Sequence, residues 1–216
     1  MPKIKLAPSI LSADRSKINS EIKQVEEYSD LVHVDIMDGI FVPPTTIDAE
    51  FVSKIKTKVP LDVHLMVHEP SNSYIQGFID AGAASITIHV EGCNDPMKQI
   101  NYIKSKNVKA AISIKPKTSV DAIKKYLDHV DMVLVMTVEP GWGGQSFIPE
   151  MMDKVRELRK LKPKIDIEVD GGINHITAGI SRDAGANVFV AGNYIFGDKD
   201  RAAAAKRLLD SLHKSQ

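Results

Sequence analysis

Val32-His33-Val34-Asp35-Ile36-Met37-Asp38-Gly39 sets aliphatic and polar residues on alternate positions. Successive side chains of a strand point to opposite faces, so His33 and Asp35 share one face and Val32, Val34 and Ile36 the other. Two strong metal-ligating groups are thereby presented side by side against an apolar back. Asp62-Val63-His64 and Glu168-Val169-Asp170 repeat the arrangement further along the chain. Polar side chains turned into a barrel lumen have to be satisfied there, because an unpaired buried charge is costly. Two imidazoles and two carboxylates, His33, Asp35, His64 and Asp170, can share one divalent cation, and the mixed nitrogen and oxygen set suits zinc, iron, manganese or cobalt. Taken singly, a strand histidine is most often a hydrogen-bonded core or rim residue; the joint pattern carries the metal reading. Asp62 is expected to bond backbone near its strand start, and His89, at the barrel mouth, to play a structural part, the alternative being that it lines the site. His68, His129, His175 and His213 are expected on the surface.

Outward from the strand at 31–36, short apolar, β-branched runs recur at 4–7, 61–66, 85–89, 110–114, 132–136, 166–169 and 188–191. Between them lie segments such as 15–28 and 151–161, where apolar residues return every three or four positions over a Lys- and Glu-rich face. Eight strands, each followed by a helix-like stretch, predict an α/β chain folded as a closed (β/α)8 TIM barrel. An open doubly wound sheet is the alternative, but no Gly-x-Gly-x-x-Gly follows the first strand. Ala81-Gly82-Ala83 and Ala184-Gly185-Ala186 supply helix stops in register with this repeat. With no linker or low-complexity segment, residues 1–216 read as one domain.

The 216 residues are 43% hydrophobic, ample for one core. The 28 basic and 28 acidic side chains balance, which gives no general attraction to nucleic acid or to an anionic membrane. Any bound anion must therefore be held by a local site. Cys93, the single cysteine, permits no internal disulfide and fits a reducing compartment; beside Asn94-Asp95-Pro96 it reads as a small loop or core residue. The N-terminus lacks the apolar length of a signal peptide, and no run of about 18 apolar residues occurs. A soluble, cytoplasmic protein is expected.

Glycines gather after the last strands: Glu139-Pro140-Gly141-Trp142-Gly143-Gly144-Gln145, Asp170-Gly171-Gly172 and Gly192-Asn193. Each alone is compatible with a tight turn. Together, at successive strand ends where barrels hold phosphate, they predict a phosphate cradle, because glycine lets backbone N–H groups approach an anion closely. The loop from Gly141 to Pro149 carries Trp142 and Phe147 above a glycine-rich base and reads as a lid, the alternative being a rigid loop with Trp142 packed away.

Ala7-Pro8-Ser9-Ile10-Leu11, His33–Gly39, Asp62–Val67, Val135–Gly141, Gly143-Gly144-Gln145 and Glu168–Ile173 occur in order along nearly the whole chain. In that order they resemble motifs of the ribulose-phosphate 3-epimerase family. The resemblance implies a phosphate-binding TIM barrel that interconverts D-ribulose 5-phosphate and D-xylulose 5-phosphate through an enediolate. It implies that His33, Asp35, His64 and Asp170 hold a divalent metal and that Asp35 and Asp170 are the catalytic acid/base pair. It further implies substrate contacts from Ser9, His64, Asp170 and Trp142, and phosphate contacts from Gly141, Gly143, Gly144, Gly171, Gly172, Gly192 and Asn193. Met37, Met66 and Met136 would wall the reacting centre, and family members assemble as homo-oligomers. This chain departs from the family pattern in Asn193 for a usual Ser, in Ile40 for a common His, and in 43–48. A family relative acting on a hexulose 6-phosphate, such as D-allulose 6-phosphate, is the near alternative. A phosphate-barrel lyase is disfavoured, because such enzymes resemble Asp-x-Lys-x-x-Asp where this chain has Asp62-Val63-His64-Leu65-Met66-Val67. A non-catalytic binding protein would have no use for both acids and both imidazoles.

Overall fold

The alternating and apolar runs form eight parallel strands in the computed structural model, which describes residues 2–213. Met1 and residues 214–216, the ends of the expected 1–216 unit, lie outside the described residues. The strands are β1 (Lys5–Pro8), β2 (Val32–Met37), β3 (Leu61–Met66), β4 (Ala83–His89), β5 (Lys109–Ile114), β6 (Met132–Met136), β7 (Asp166–Asp170) and β8 (Val188–Ala191). They pair in chain order from β2 to β8, and β8 pairs with β1. A parallel bridge between Ser9 and His33 returns β1 to β2. The N–H groups of Asp30 and Leu31 also donate to the Leu6 carbonyl, at 2.9 and 3.2 Å. The expected barrel is therefore the observed fold.

The helices are α1 (Ile18–Val25), α2 (Ala49–Ser53), α3 (Asn72–Asp80), α4 (Pro96–Ser105), α5 (Met151–Leu161), α6 (Thr177–Ala184), α7 (Asn193–Phe196) and α8 (Arg201–His213). Their starts follow local chemistry. Asp48, Ser71 and Asp95 accept the backbone N–H groups of Phe51, Tyr74 and Lys98, and Pro96 opens α4 where its missing N–H is not needed. The stops expected at Gly82 and Gly185 are where α3 and α6 end. α1 buries Ile18, Ile22 and Val25, one stripe of its surface, against the barrel. Each such side chain contributes about 1.5–3 kcal/mol on burial. One expectation is corrected: no α-helix joins β5 to β6. Two short 3₁₀ turns, Val120–Ala122 and Lys124–Tyr126, take its place and bury Val120 and Tyr126.

Strand register places the site. His33 lies beside Asp62, Asp35 beside His64, and Asp170 beside Met136. Val32, Val34, Ile36, Val63 and Leu65 face outward into the main core beneath the helices. The inward residues stack in layers, as barrel interiors do. Ala7, Ala111, Met132, Val188 and Val190 form a small apolar plug, and the polar residues occupy the lumen with it.

Candidate active site

His33, Asp62, His64 and Glu168 are wholly buried in the lumen, and Asp35 nearly so. Asp170 keeps 18% of its side chain open at the top. The sequence placed these residues on one inward face, and the barrel brings them together. One ligating atom from each of His33, Asp35, His64 and Asp170 lies within 4.8 Å of every other. His64 Nδ1 stands 3.3 Å from Asp35 Oδ1 and 3.9 Å from Asp170 Oδ2. His33 Nε2 stands 3.4 Å from the same Asp35 oxygen and has no hydrogen-bond partner despite its burial. Ser9 Oγ donates to the other Asp35 oxygen at 2.6 Å.

An orphaned, buried imidazole nitrogen facing two carboxylates and a second imidazole suits a cation. The donor set is the mixed nitrogen and oxygen kind that zinc, iron, manganese and cobalt accept. The residues present thus fit one divalent metal.

Burial drives the Asp170 carboxyl up to about 6, and the nearby Asp35 charge pushes the same way. Burial also opposes the charge on Asp35, but His33 and His64 outweigh it and hold that carboxyl well below the usual range. The same surroundings thus shift the two acids in opposite directions. Beneath them, burial and then the Asp62 charge push Glu168 up to about 8.

The expected backbone role for Asp62 is corrected. Its carboxylate accepts from Ser85 Oγ at 2.5 Å and sits 2.8 Å from His33 Nδ1. His89 is absent from the cleft wall: it is buried behind His64, with the two Nε2 atoms 2.9 Å apart. Both contacts depend on register between neighbouring strands, which a single strand's pattern does not encode. His68, His129, His175 and His213 are exposed, as expected. Cys93 is buried, and burial pushes its thiol up to about 12, which leaves it no nucleophilic part.

Above the lumen opens a cleft of about 590 Å³. Asp35, Asp170 and Ser9 form its base, and Met37, Met66 and Met136 its wall. Gly141, Trp142, Gly143, Gly144, Gly171, Gly172, Gly192 and Asn193 all line its upper part. Gly171 and Gly172 turn with φ of +119° and +66°, and a β-carbon on Gly172 would stand 2.6 Å from the Phe147 backbone nitrogen. The two loops thus meet backbone to backbone. Gln145 cinches the loop before Phe147 by donating to the Glu139 and Trp142 carbonyls at 2.6 and 2.9 Å. Trp142 itself is 63% exposed, so the alternative of a permanently packed tryptophan is set aside.

The departures from the family pattern have local accounts. Ser12 Oγ donates to Asn193 Oδ1, which turns the Asn193 amide nitrogen toward Gly144. Ser12 lines the cleft and was missed because nothing in its local pattern sets it apart. The unusual loop after β2 is fastened by Thr46, whose hydroxyl donates to the Asp35 carbonyl at 2.7 Å and accepts from the Met37 N–H at 3.0 Å. Ile40 is 75% exposed and makes no part of the cleft wall.

Solved structures with this architecture include 3-hexulose-6-phosphate synthase from Salmonella typhimurium (TM-score 0.76, 18% identity, 97% of this chain and 98% of that one). Another is 3-keto-L-gulonate-6-phosphate decarboxylase from Vibrio cholerae (TM-score 0.71, 16% identity, 98% and 100%). At such identities the likeness is one of fold. Sequence relatives are far nearer. Ribulose-phosphate 3-epimerase of Bacillus subtilis is 44% identical over 96% of this chain and 99% of its own length. The cytoplasmic isoform from Oryza sativa is 43% identical over 98% and 96%. The model of the ribulose-phosphate 3 epimerase family matches residues 5–196, a span that includes all eight strands and every residue of the site described above. This chain therefore belongs to the ribulose-phosphate 3-epimerase family.

Proposed function

We propose that this chain interconverts D-ribulose 5-phosphate and D-xylulose 5-phosphate by moving a proton at C3, with Asp35 and Asp170 as the two acid/base groups. The observation that carries the reading is geometric: the Asp35 and Asp170 carboxyls, from two separate strands, converge with two imidazoles and open onto one cleft. Epimerisation beside a carbonyl needs a base on one face of the carbon and an acid on the other. Asp35 comes from β2 and Asp170 from β7, so they approach a substrate from different sides of the barrel. In one direction Asp35 takes the proton while protonated Asp170 supplies its replacement; in the other the roles exchange.

His33, Asp35, His64 and Asp170 would hold the divalent metal. When bound, such a cation supplies Lewis-acid neutralisation of the negative charge that builds on the enediolate oxygens. Ser9 donates to Asp35 and so orients the carboxylate whose other oxygen faces the histidines. Gly141, Gly143, Gly144, Gly171, Gly172, Gly192 and Asn193 receive the phosphate, and Trp142 covers it. Met37, Met66 and Met136 give the reacting carbon a polarizable, water-poor wall. The substrate is a small sugar phosphate, and residues 1–216 act as one domain that assembles with copies of itself. No helix among the described residues is long and apolar enough to cross a membrane.

The test is turnover of D-ribulose 5-phosphate in deuterated water, with metal analysis before and after chelation. The expected result is D-xylulose 5-phosphate carrying deuterium at C3, loss of turnover on chelation, and recovery with a divalent cation. Faster turnover of D-allulose 6-phosphate, or product without solvent deuterium, defeats this reading.

A further inference from the structure

Behind the four residues assigned to the cation lies a second line of bonds that the chemistry just described does not use. His64 presents Nδ1 to Asp35 and Asp170 and turns Nε2 away from them. That far nitrogen meets His89 Nε2 at 2.9 Å. The two rings are inclined by 29° with centroids 5.0 Å apart, a separation at which the nitrogens touch and the ring faces do not. His89 Nδ1 in turn faces Glu91 Oε2 at 3.1 Å. The other Glu91 oxygen accepts the Lys115 backbone N–H at 2.7 Å, which ties the carboxylate to the loop after β5. Phe41 lies against the His89 ring with centroids 4.8 Å apart, and the Lys115 ammonium stands 3.6 Å from the centre of the Phe41 ring.

The donors and acceptors along this line can be arranged in one way only if His64 is a ligand. A ligating nitrogen carries no proton, so a His64 that offers Nδ1 bears its proton on Nε2. His89 Nε2 must then accept it. The single proton of a neutral His89 is left on Nδ1, where Glu91 can only accept. A carboxylate at one end and a cation site at the other thus require one and the same arrangement, Nε2–H on His64 and Nδ1–H on His89.

We infer that His89 is a positioning residue for His64, fixing its ring orientation and its Nδ1-ligating tautomer through Glu91. The inference rests on the proposed role of His64 as a metal ligand. It gives the second imidazole the support that His33 receives directly from Asp62, 2.8 Å from its Nδ1. Outer partners of this kind set metal affinity without touching the metal, and their loss costs about 10–100-fold.

The experiment measures Co(II) affinity of the purified full-length protein, by competition with a chelator, for wild type and three variants. His89→Phe keeps a flat ring but no acceptor, and is expected to weaken Co(II) binding about 10–100-fold. His89→Gln places an amide oxygen near the lost Nε2 and is expected to recover most of that loss. Glu91→Ala, at a rim position with 21% of its side chain exposed, is expected to weaken binding in the same direction and serves should the phenylalanine variant not fold. In ¹⁵N-labelled, zinc-loaded wild type, a scalar coupling between His64 Nε2 and His89 Nε2 is expected across the bond. Unchanged affinity in all three variants, or no such coupling in wild type, overturns the positioning role alone. Wild-type protein that takes up neither Co(II) nor zinc overturns the metal reading and this inference with it.

Discussion

The two ends of the cleft are made of different materials. Its base, with the lumen beneath it, is built from side chains on strands, His33, Asp35, His64 and Asp170, joined by Ser9 just past the end of β1, each held by another side chain. Its upper part is built largely from backbone, where Gly171 and Gly172 occupy left-handed conformations and press against Val138 and Phe147. In the base, function depends on which functional group is present. In the upper part it depends on how closely the chain can approach. Substitutions should therefore fail in different ways at the two ends.

The largest effect belongs to the base. Asp35→Asn or Asp170→Asn should lower kcat by at least about 10²–10⁴-fold, the usual contribution of a general acid or base. Circular dichroism and Tm should stay close to wild type, because asparagine retains shape and an acceptor. Near-full turnover by either variant, with metal bound, would remove the distinction between the two ends.

At the upper end, Gly172→Ala forces a side chain into φ +66° and against the Phe147 backbone. Strain of this kind costs about 1–3 kcal/mol, and each kcal/mol lowers Tm by about 2–4 °C in a chain of this size. KM for the sugar phosphate should rise more than kcat falls. A variant that lost kcat while keeping KM would show that this turn serves the chemistry and not the anion.

A pH effect separates the lumen from both. Glu168 holds its proton up to about 8 in the folded chain against an ordinary value of 4.5. Its contribution to stability is fully present below about pH 4.5 and is lost as pH rises through 8. In chelated protein, thermal melts from pH 5 to pH 9 should therefore show wild type losing more stability than Glu168→Gln, which cannot ionise. Parallel curves for the two proteins would contradict a buried, protonated Glu168.

The smallest change in stability is expected at Trp142, the chain's single tryptophan. Trp142→Phe should shift stability by less than about 0.5 kcal/mol, as for an ordinary surface position. In wild type, its fluorescence should move to shorter wavelength as inorganic phosphate or the sugar phosphate fills the cleft. Emission indifferent to both would detach this loop from the phosphate end.

Much of the base was legible because strand alternation is a local rule. His33 with Asp35, and Glu168 with Asp170, must face the same way whatever surrounds them. Partnerships across strands were not legible. Whether Asp62 meets a backbone amide or His33 depends on the β2–β3 register, and His89 finds His64 only because β4 lies next to β3. The missing helix between β5 and β6 shows another limit. Apolar Val120, Ile123, Tyr126 and Leu127 keep helical spacing, yet two 3₁₀ turns bury them without continuing into an α-helix. The glycine cluster was legible as a place but not as a shape, since the meeting of Gly172 with Phe147 joins two different loops.

The wall of the barrel has a seam where β1 and β2 meet at the Ser9–His33 bridge, and Ser9 crosses it to reach Asp35. The groups proposed to handle the substrate are thus also the clasp that shuts the cylinder. Breaking the Ser9–Asp35 bond would therefore loosen a joint of the cylinder as well as a wall of the cleft, leaving the Leu6 carbonyl bonds to hold that seam.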